Sequence, residues 1–172
     1  MITKFDNFLK EIIGSGEFAS FHNKAGENFW GNIGGGVLPI CTKTGRILLP
    51  FRSRYVNEPN TWGVWGGKID EEHGEAQSDI EEVVKREFME EGGFDGNIQL
   101  IPAYVFRKEN VFTYYNFIGL LDHEHQPTLD WETESFKWVT FNEMMGISPK
   151  HFGLSGLLKD QKSLQTIKKY AR

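Results

Sequence analysis

The strongest constraint in this sequence is a helical pattern whose apolar stripe ends in carboxylates. Ile80, Val83 and Val84 recur at the spacing of one helix face, which predicts that they pack against a core. At about 100° per residue, Glu87 and Glu91 project close to the same line. Buried carboxylates without a partner are very costly, and a bound cation is a common partner for them. The pattern therefore indicates a helix that packs at one end and binds a cation at the other.

The ends of this helix can be read from the residues around them. Ser78 and Glu81 form a Ser-x-x-Glu capping box, which predicts that the helix begins just after Ser78. Gly92 and Gly93 supply a left-handed cap at its C-terminus. A third carboxylate, Glu90, lies in the last turn, where acidic residues oppose the helix dipole. Helix stability does not explain an acidic residue in the last turn, but metal binding does.

Length and composition limit the classes of protein to consider. A chain of 172 residues suits one domain with a small extension. The net charge of -5 argues against broad binding to nucleic acid or to an anionic membrane, since both favour a basic surface. No apolar run has the length of a membrane span, and the N-terminal segment lacks the apolar core of a secretory signal. These features predict a cytoplasmic protein that binds neither membrane nor nucleic acid in general.

The rest of the pattern predicts a mixed β-sheet with one central helix and one C-terminal helix. Residues 1–30 are expected to form a helical and aromatic extension, and residues 31–172 the main domain. Strands are expected at 37–42, 46–54, 62–65, 98–107, 111–121 and 135–140. Helices are expected at 3–13, 79–91, 141–145 and 154–170. The predicted fold class is α+β, with the sheet in the middle of an α/β/α sandwich.

The stretch REFMEEGGF, from Arg86 to Phe94, resembles the signature of the Nudix family. That signature is G-x5-E-x7-R-E-U-x-E-E-x-G-U, in which U is a bulky apolar residue. The preceding Gly66-Gly67-Lys68 matches the usual opening of the motif, and the similarity extends over residues 33–160. The resemblance implies a Nudix-like mixed sheet with a central catalytic helix and a C-terminal helix.

The first half of the motif is longer than the family pattern. Seven residues separate Gly67 from Glu75 where the family has five, and ten separate Glu75 from Arg86 where it has seven. The extra residues fall mainly in the loop before the helix, and loop insertions cost little free energy, so the helix and its carboxylates keep their register. The first glutamate of the motif stays open between Glu71, Glu72 and Glu75.

The resemblance implies an enzyme that hydrolyses a nucleoside diphosphate linked to another group, with Mg²⁺ or Mn²⁺ as cofactor. A diphosphate is densely negative, so an acidic site needs a divalent cation to bind it. Family analogy favours ADP-ribose or another nucleoside diphosphate sugar. Nucleoside triphosphates, dinucleoside polyphosphates and RNA 5′ ends stay open as substrates, and a homodimer stays open as the assembly. The alternative function is a nucleotide sensor that keeps the fold with little turnover.

The same resemblance implies roles for individual residues. The expected metal ligands are Gly67, Glu87, Glu90 and Glu91. The other expected catalytic residues are Arg86, which would orient the carboxylates, and Glu132 and Glu134, which compete with Glu87 as the general base. The expected phosphate contacts are Arg52, Arg54 and Lys68. The expected stacking surfaces for a base are Trp62, Trp65, Phe106, Phe112 and Tyr114.

Three alternatives compete with these roles. Trp62 and Trp65 also suit a packing role in a core. Arg52 and Arg54 also suit a solvated edge strand, and Glu132 and Glu134 a charged loop before a strand. His123-Glu124-His125 has alternating residues that could share one strand face, but it lies in a polar loop without a nearby cysteine, so no zinc site is assigned to it.

Overall fold

The structure, a computed structural model, describes residues 32–56, 58–69, 77–108 and 112–172. The predicted extension of residues 1–30 and its helix at 3–13 lie outside these ranges. The described strands are β1 (Asn32–Cys41), β2 (Ile47–Arg52), β3 (Trp65–Ile69), β4 (Ile98–Lys108), β5 (Phe112–Leu121) and β6 (Thr133–Val139). The described helices are α1 (Gln77–Glu91), α2 (Phe141–Gly146), α3 (Phe152–Lys159) and α4 (Gln161–Tyr170). None of these helices is long and apolar enough to cross a membrane.

Strand β1 is the centre of the sheet and has two different edges. On one edge it runs parallel to β5 along its full length, and β4 pairs antiparallel beyond β5. On the other edge, β3 pairs with its first half and β2 with its last residues, at Ile40↔Ile47. Strand β6 then pairs with β2. The sheet therefore divides along this second edge, between β2 and β3.

Two apolar layers cover the two faces of the sheet. Val37 and Leu38 are adjacent in β1 and fully buried in different layers, as the strand pleat requires. The layer that contains Val37 holds the inner face of α1, with Ile80, Val84 and Phe88. The layer that contains Leu38 is closed by α2, α3 and α4. The predicted α/β/α sandwich is confirmed, and α1 presents the face that its periodicity predicted.

The single C-terminal helix predicted at 154–170 is wrong, because the chain forms two helices that meet at Asp160. The backbone of Asp160 is extended, with φ −74° and ψ 117°. Its N–H donates to the carbonyl of Gly156 at 3.3 Å, which closes α3. Its carboxylate accepts from the backbone N–H of Ser163 at 2.8 Å, which begins α4. An aspartate at this position is a strong N-cap, and it overrides an apolar spacing that runs through both helices.

The two ends of α1 differ in how well the sequence predicts them. Gly93 has φ +62°, which confirms the left-handed cap after the last turn. The N–H of Gly92 donates to the carbonyl of Phe88 at 2.9 Å. At the other end, the helix already includes Gln77, so Ser78 lies in the first turn and the predicted start was wrong by two residues.

Candidate active site

An acidic cleft lies where the sheet divides. Arg52 from β2 and Trp65 from β3 form parts of its walls. Glu91, at the end of α1, contributes one carboxylate, and Asp130 and Glu132, in the loop before β6, contribute two more. Two residues with predicted catalytic roles, Glu91 and Glu132, are thus brought together from distant parts of the chain. Asp130 is a third acid that the sequence did not single out.

Glu91 is the electrostatic centre of this cleft. Its pKa is raised from 4.5 to about 7, first by desolvation and then by the charges of Glu87, Glu132, Asp130 and Glu90. The side chain still reaches solvent, so the desolvation comes from the protein that surrounds it at the mouth of the cleft. Five carboxylates therefore repel one another, and a bound cation would relieve that repulsion.

Arg86 and Glu87 form an ion pair on α1. The Arg86 Nη2 atom donates to the Glu87 Oε1 atom at 3.2 Å, and the side chains are 47% and 36% exposed. A pair this exposed contributes little to stability, up to about 1 kcal/mol. The pair joins Arg86, which the motif predicts to orient the carboxylates, to one of those carboxylates.

The remaining predicted metal ligands are Glu90 and Gly67. Glu90 is exposed in the last turn of α1, and Gly67 is exposed in β3 beside Gly66, which lines the cleft. Within the described ranges, no three His, Cys, Asp or Glu residues are already gathered as a metal site. The available donors are carboxylate oxygens, which hard divalent cations such as Mg²⁺ and Mn²⁺ prefer. The donor set thus fits the implied metal chemically.

Gly66 allows β3 to approach the centre of the sheet. Its φ is +132°, a conformation that L side chains rarely adopt. A Cβ atom there would lie 2.2 Å from the carbonyl oxygen of Gly35. Gly66, the residue just before the glycine from which the motif is counted, is therefore required by close backbone contact next to the cleft.

A histidine fixes the loop before β6 against the end of α1. The Nε2 atom of His125 lies 2.9 Å from the carbonyl oxygen of Gly92, and the carbonyl of His125 accepts from Trp138 Nε1 at 2.9 Å. The ring packs against Phe88 and Phe94. Desolvation by these neighbours is the main reason that the pKa of His125 is lowered. The neutral ring can then donate its Nε2–H to the carbonyl that the helix leaves unpaired.

This contact fixes the loop that carries Asp130 and Glu132. The loop that His125 fixes continues to Asp130, whose Oδ1 atom accepts from the N–H groups of Glu132 at 2.9 Å and Thr133 at 3.1 Å. His123, by contrast, contacts Asp122 at 2.7 Å. The two histidines have different partners, so a shared zinc site is not what they form.

Ser53 joins the end of β2 to the same loop. It is buried, its N–H donates to the carbonyl of Glu132 at 2.8 Å, and its Oγ donates to the carbonyl of Trp131 at 2.7 Å. The Ser53 Oγ also accepts from the N–H of Tyr55 at 3.2 Å. These bonds hold Arg52 and Glu132 beside one another on the cleft wall.

The other residues with predicted roles lie in several different surroundings, and of those whose side chains are described only Trp65 lines the cleft. Arg54 is exposed beyond the end of β2, and Glu134 is exposed in β6; neither lines the cleft. Trp62 is buried and packs on Phe51, with ring centroids 4.8 Å apart. Trp65 is buried and packs edge-on against Phe88. The competing interpretation of both tryptophans, as core residues, fits this burial. Lys68 lies in β3, and the structure describes only its backbone.

An aromatic cavity of about 460 Å³ lies between the sheet and α3. The rings that line it belong to Tyr104, Phe106, Tyr114 and Phe152. Two of these, Phe106 and Tyr114, were predicted as stacking surfaces. Tyr104 and Phe152 were not predicted to contribute to such a surface.

Asn116 gives this cavity one polar group of defined direction. Its Nδ2 donates to the carbonyl of Tyr104 at 2.8 Å, which fixes the orientation of the amide. Its Oδ1 is buried and has no hydrogen-bond partner among the described residues. Buried acceptors are nearly always paired, so this one marks a place where a ligand N–H group would fit.

Gly36 lies close to residues of both the cavity and the cleft. A Cβ atom at this position would lie 2.3 Å from the hydroxyl of Tyr114, which lines the cavity. It would also lie 3.0 Å from the carbonyl of Trp65 and 3.1 Å from Val64 Cγ2, both on the cleft side. Residues that line the cavity and residues that line the cleft therefore meet around this glycine.

Comparisons with known proteins agree with this architecture. A family model described as NUDIX domain matches residues 32–160. A MutT NUDIX hydrolase from Burkholderia pseudomallei is similar in structure, with 23% identity, TM-score 0.55, and coverage of 76% of this chain and 97% of that one. A Nudix hydrolase from M. smegmatis, RenU, has 17% identity and TM-score 0.61, covering 85% and 91%.

A third similar structure is the NUDIX domain of Shewanella oneidensis NrtR complexed with ADP ribose. It has 14% identity and TM-score 0.56, covering 88% of this chain and 97% of that one. No functionally curated protein matches the sequence significantly. The family model covers most of the chain, and its members generally use divalent metal ions. The chain belongs to the NUDIX domain family and is a Nudix-type pyrophosphohydrolase.

Proposed function

We propose that this enzyme uses Mg²⁺ or Mn²⁺ to hydrolyse the diphosphate bond of a nucleoside diphosphate linked to another group. The observation that carries the proposal is the raised pKa of Glu91, about 7, in a cleft that adjoins an aromatic cavity. Such a perturbed acid in a concave site is typical of catalytic centres. The cavity supplies a nearby apolar surface of the kind that a nucleoside needs.

The acidic cleft cannot hold a diphosphate by its own charges. Glu87, Glu90 and Glu91, with Gly67 beside them, are the residues that would hold the cation. When bound, the cation would neutralise charge on the phosphate oxygens and activate a water molecule. Arg52, on the cleft wall, is suited to contact a phosphate oxygen directly.

Of the three candidate general bases, Glu132 has the strongest support. It lines the cleft together with Glu91, whereas Glu134 is exposed and does not line it. Glu87 is engaged with Arg86. Glu132 would accept a proton from the attacking water, and the products would be two phosphate monoesters or a monoester and a shorter polyphosphate.

The nucleoside is assigned to the aromatic cavity. Stacking on Tyr104, Phe106 or Tyr114 would hold a base, and the unpaired Asn116 Oδ1 would accept from one of its N–H groups. ADP-ribose and nucleotide sugars are the first compounds to test, since the NUDIX domain of NrtR is a similar structure solved with ADP ribose.

The test is a panel of nucleoside diphosphate derivatives incubated with Mg²⁺ or Mn²⁺ and analysed for products. We expect at least one member to be cleaved at its anhydride, and the cleavage to stop when a chelator removes the metal. Binding of the panel without cleavage, in either metal, would favour the nucleotide sensor and contradict the proposal.

A further inference from the structure

Strand β4 carries a β-bulge at the wall of the aromatic cavity. The register of its pairing with β5 shifts between Pro102 and Val105. The extra residue leaves Ala103 and Tyr104 opposite the single residue Asn116. A bulge interrupts the regular ladder of backbone hydrogen bonds and changes the direction of nearby side chains, and bulges are common next to active sites. The position of Tyr104 on the cavity wall therefore depends on the contacts that hold this bulge.

Two side chains bond the backbone of Tyr104. Its N–H donates to the Ser163 Oγ atom at 2.9 Å. Its carbonyl accepts from the Asn116 Nδ2 atom at 2.8 Å. Ser163 lies in α4, 59 residues further along the chain, and is 2% exposed. The fold thus brings a distant, buried hydroxyl onto the bulge.

Each hydrogen bond in this series has one permitted direction. The Asp160 Oδ2 atom accepts from the Ser163 Oγ at 2.6 Å and from the Ser163 N–H at 2.8 Å. The hydroxyl bond and then the backbone bond lower the pKa of Asp160, so its carboxylate is ionised near neutral pH and only accepts. The Ser163 hydroxyl gives its one proton to Asp160, and its oxygen accepts from Tyr104. A backbone carbonyl only accepts, so Asn116 presents its Nδ2 atom to Tyr104.

The result of these contacts is a hydrogen-bond acceptor on the cavity wall. Asn116 is 4% exposed, and its Oδ1 atom has no hydrogen-bond partner in the part of the chain that the structure describes. Tyr104, Asn116 and Asp160 line the cavity, whereas Ser163 does not. One buried hydroxyl outside the cavity therefore connects three residues of its wall.

An alternative role for Ser163 is to dock α4 on the sheet. The helix does not need the hydroxyl to begin, because Asp160 already caps it through the backbone N–H of Ser163. Packing is supplied by Ile167, which is fully buried in the layer closed by α4. A buried hydroxyl costs free energy unless it is hydrogen-bonded, and an alanine would pack there without that cost. The bulge that Ser163 holds explains the hydroxyl better than docking does.

We infer that Ser163 is a positioning residue for base selection, which holds the Tyr104 bulge so that Asn116 presents its Oδ1 atom to the ligand. The inference rests on the proposed function, which assigns a base to the cavity. Ser163 itself touches no ligand and acts through Tyr104 and Asn116. The chemistry selected is a base that offers an N–H group, rather than a carbonyl, to the amide oxygen. Without the hydroxyl the amide loses its fixed orientation, and the preference weakens.

Calorimetry with a matched pair of nonhydrolysable nucleotides in Mg²⁺ tests this role. The probes are the α,β-methylene analogues of ADP and IDP, whose bases carry an amino group and a carbonyl at the same position. We expect the wild-type protein to bind the ADP analogue about tenfold more tightly. In Ser163→Ala the ratio of the two Kd values should fall to about twofold or less. Ser163→Thr keeps a hydroxyl and should keep the ratio.

Thr166→Ala is the matched control, because it removes another hydroxyl of α4, one that bonds within the helix to the carbonyl of Lys162. It should leave the Kd ratio unchanged. A wild-type ratio near one, or a wild-type ratio in Ser163→Ala, would overturn the inference. An equal fall in Thr166→Ala would also overturn it, because the effect would then come from the stability of α4.

Hydrogen exchange of the Tyr104 N–H group, followed by NMR, tests the contact without any ligand. We expect slow exchange in the wild-type protein and exchange about tenfold faster or more in Ser163→Ala. The wild-type measurement decides the matter even if Ser163→Ala does not fold. A Tyr104 N–H that exchanges as fast as the amides of exposed loops would overturn the inference.

Hydrolysis assays separate this inference from the proposed function. A Kd ratio that depends on Ser163, without cleavage of any nucleoside diphosphate derivative, would contradict the proposed function and support the positioning role. Cleavage of the panel with an unchanged Kd ratio in Ser163→Ala would contradict the positioning role alone.

Discussion

The acidic cleft and the aromatic cavity adjoin at Gly36, yet they are built in opposite ways. The cleft gathers carboxylates from α1 and from the loop before β6, so its charges oppose one another in the absence of a cation. The cavity gathers apolar rings from β4, β5 and α3 around one amide. Under the proposed function, charge compensation and base recognition would therefore depend on different residues. Substitutions in the two regions should therefore change different kinetic constants.

Removing the carboxylate of Glu91 from the cleft should lower the rate of catalysis and leave the cavity largely unchanged. We expect Glu91→Gln to lower kcat by about 100-fold or more while thermal unfolding remains cooperative. Glu82→Gln is the matched control, since Glu82 is exposed on the same helix and does not line the cleft. Steady-state kinetics with saturating Mg²⁺ measure kcat for the Glu91→Gln and Glu82→Gln variants. A wild-type kcat in the Glu91 variant would remove that residue from the mechanism.

A side chain at the boundary between the two regions should disturb both. Gly36→Ala places a methyl group 2.3 Å from the Tyr114 hydroxyl, and relief of such overpacking costs about 1–3 kcal/mol. We expect kcat/KM to fall by about tenfold or more. Adding Tyr114→Phe removes the closest contact and should restore part of the loss. If Gly36→Ala has wild-type kcat/KM, the two sites do not depend on each other in the way described here.

The cavity should discriminate between bases through one hydrogen bond. An unpaired buried acceptor costs about 1–3 kcal/mol, so a base that offers an N–H group to Asn116 should bind about tenfold more tightly than one that offers a carbonyl. Paired adenosine and inosine substrates measure this preference as a ratio of KM values. In Asn116→Leu the ratio should approach one while kcat changes little. A ratio that survives the substitution would assign the preference to another residue.

The smallest effect concerns the stability of the metal-free protein. The pKa of Glu91 is about 7 in the folded state and 4.5 as a free group, so between these values the folded state holds a proton that the unfolded state has lost. Stability should therefore decrease as pH rises from 4.5 to 7, by about 1 kcal/mol after allowance for solvent screening. Urea unfolding with chelator, at a series of pH values, measures the slope. Glu91→Gln should flatten it, and an equal slope in the variant would contradict the assignment.

Local patterns predicted the part of the site that one helix carries. The spacing of Ile80, Val84 and Phe88 determined which face of α1 is buried, and that register put Glu87 and Glu91 at its end. The strands β1, β2, β4 and β5 were also recognisable, because their apolar runs are bounded by turn residues. Periodicity and turn chemistry act over a few residues, so a sequence displays them directly.

Contacts between distant segments account for what was missed. Asp130 reaches the cleft because His125 fixes its loop to Gly92, and no local pattern encodes that bond. Asn116 and Phe152 meet in the cavity only after β5 and α3 pack together. The same limit explains why Trp62 and Trp65 could not be assigned to core or ligand from the sequence, since burial is a property of the whole fold.

The central claim is that Glu91 gives up a proton to bind a divalent cation in the acidic cleft. Calorimetric titration of the protein with Mg²⁺ or Mn²⁺ near pH 6, in two buffers of different ionisation enthalpy, measures both binding and proton release. The account predicts binding with release of close to one proton, and loss of that release in Glu91→Gln. Metal binding that is equally tight and releases the same number of protons in the variant would contradict it.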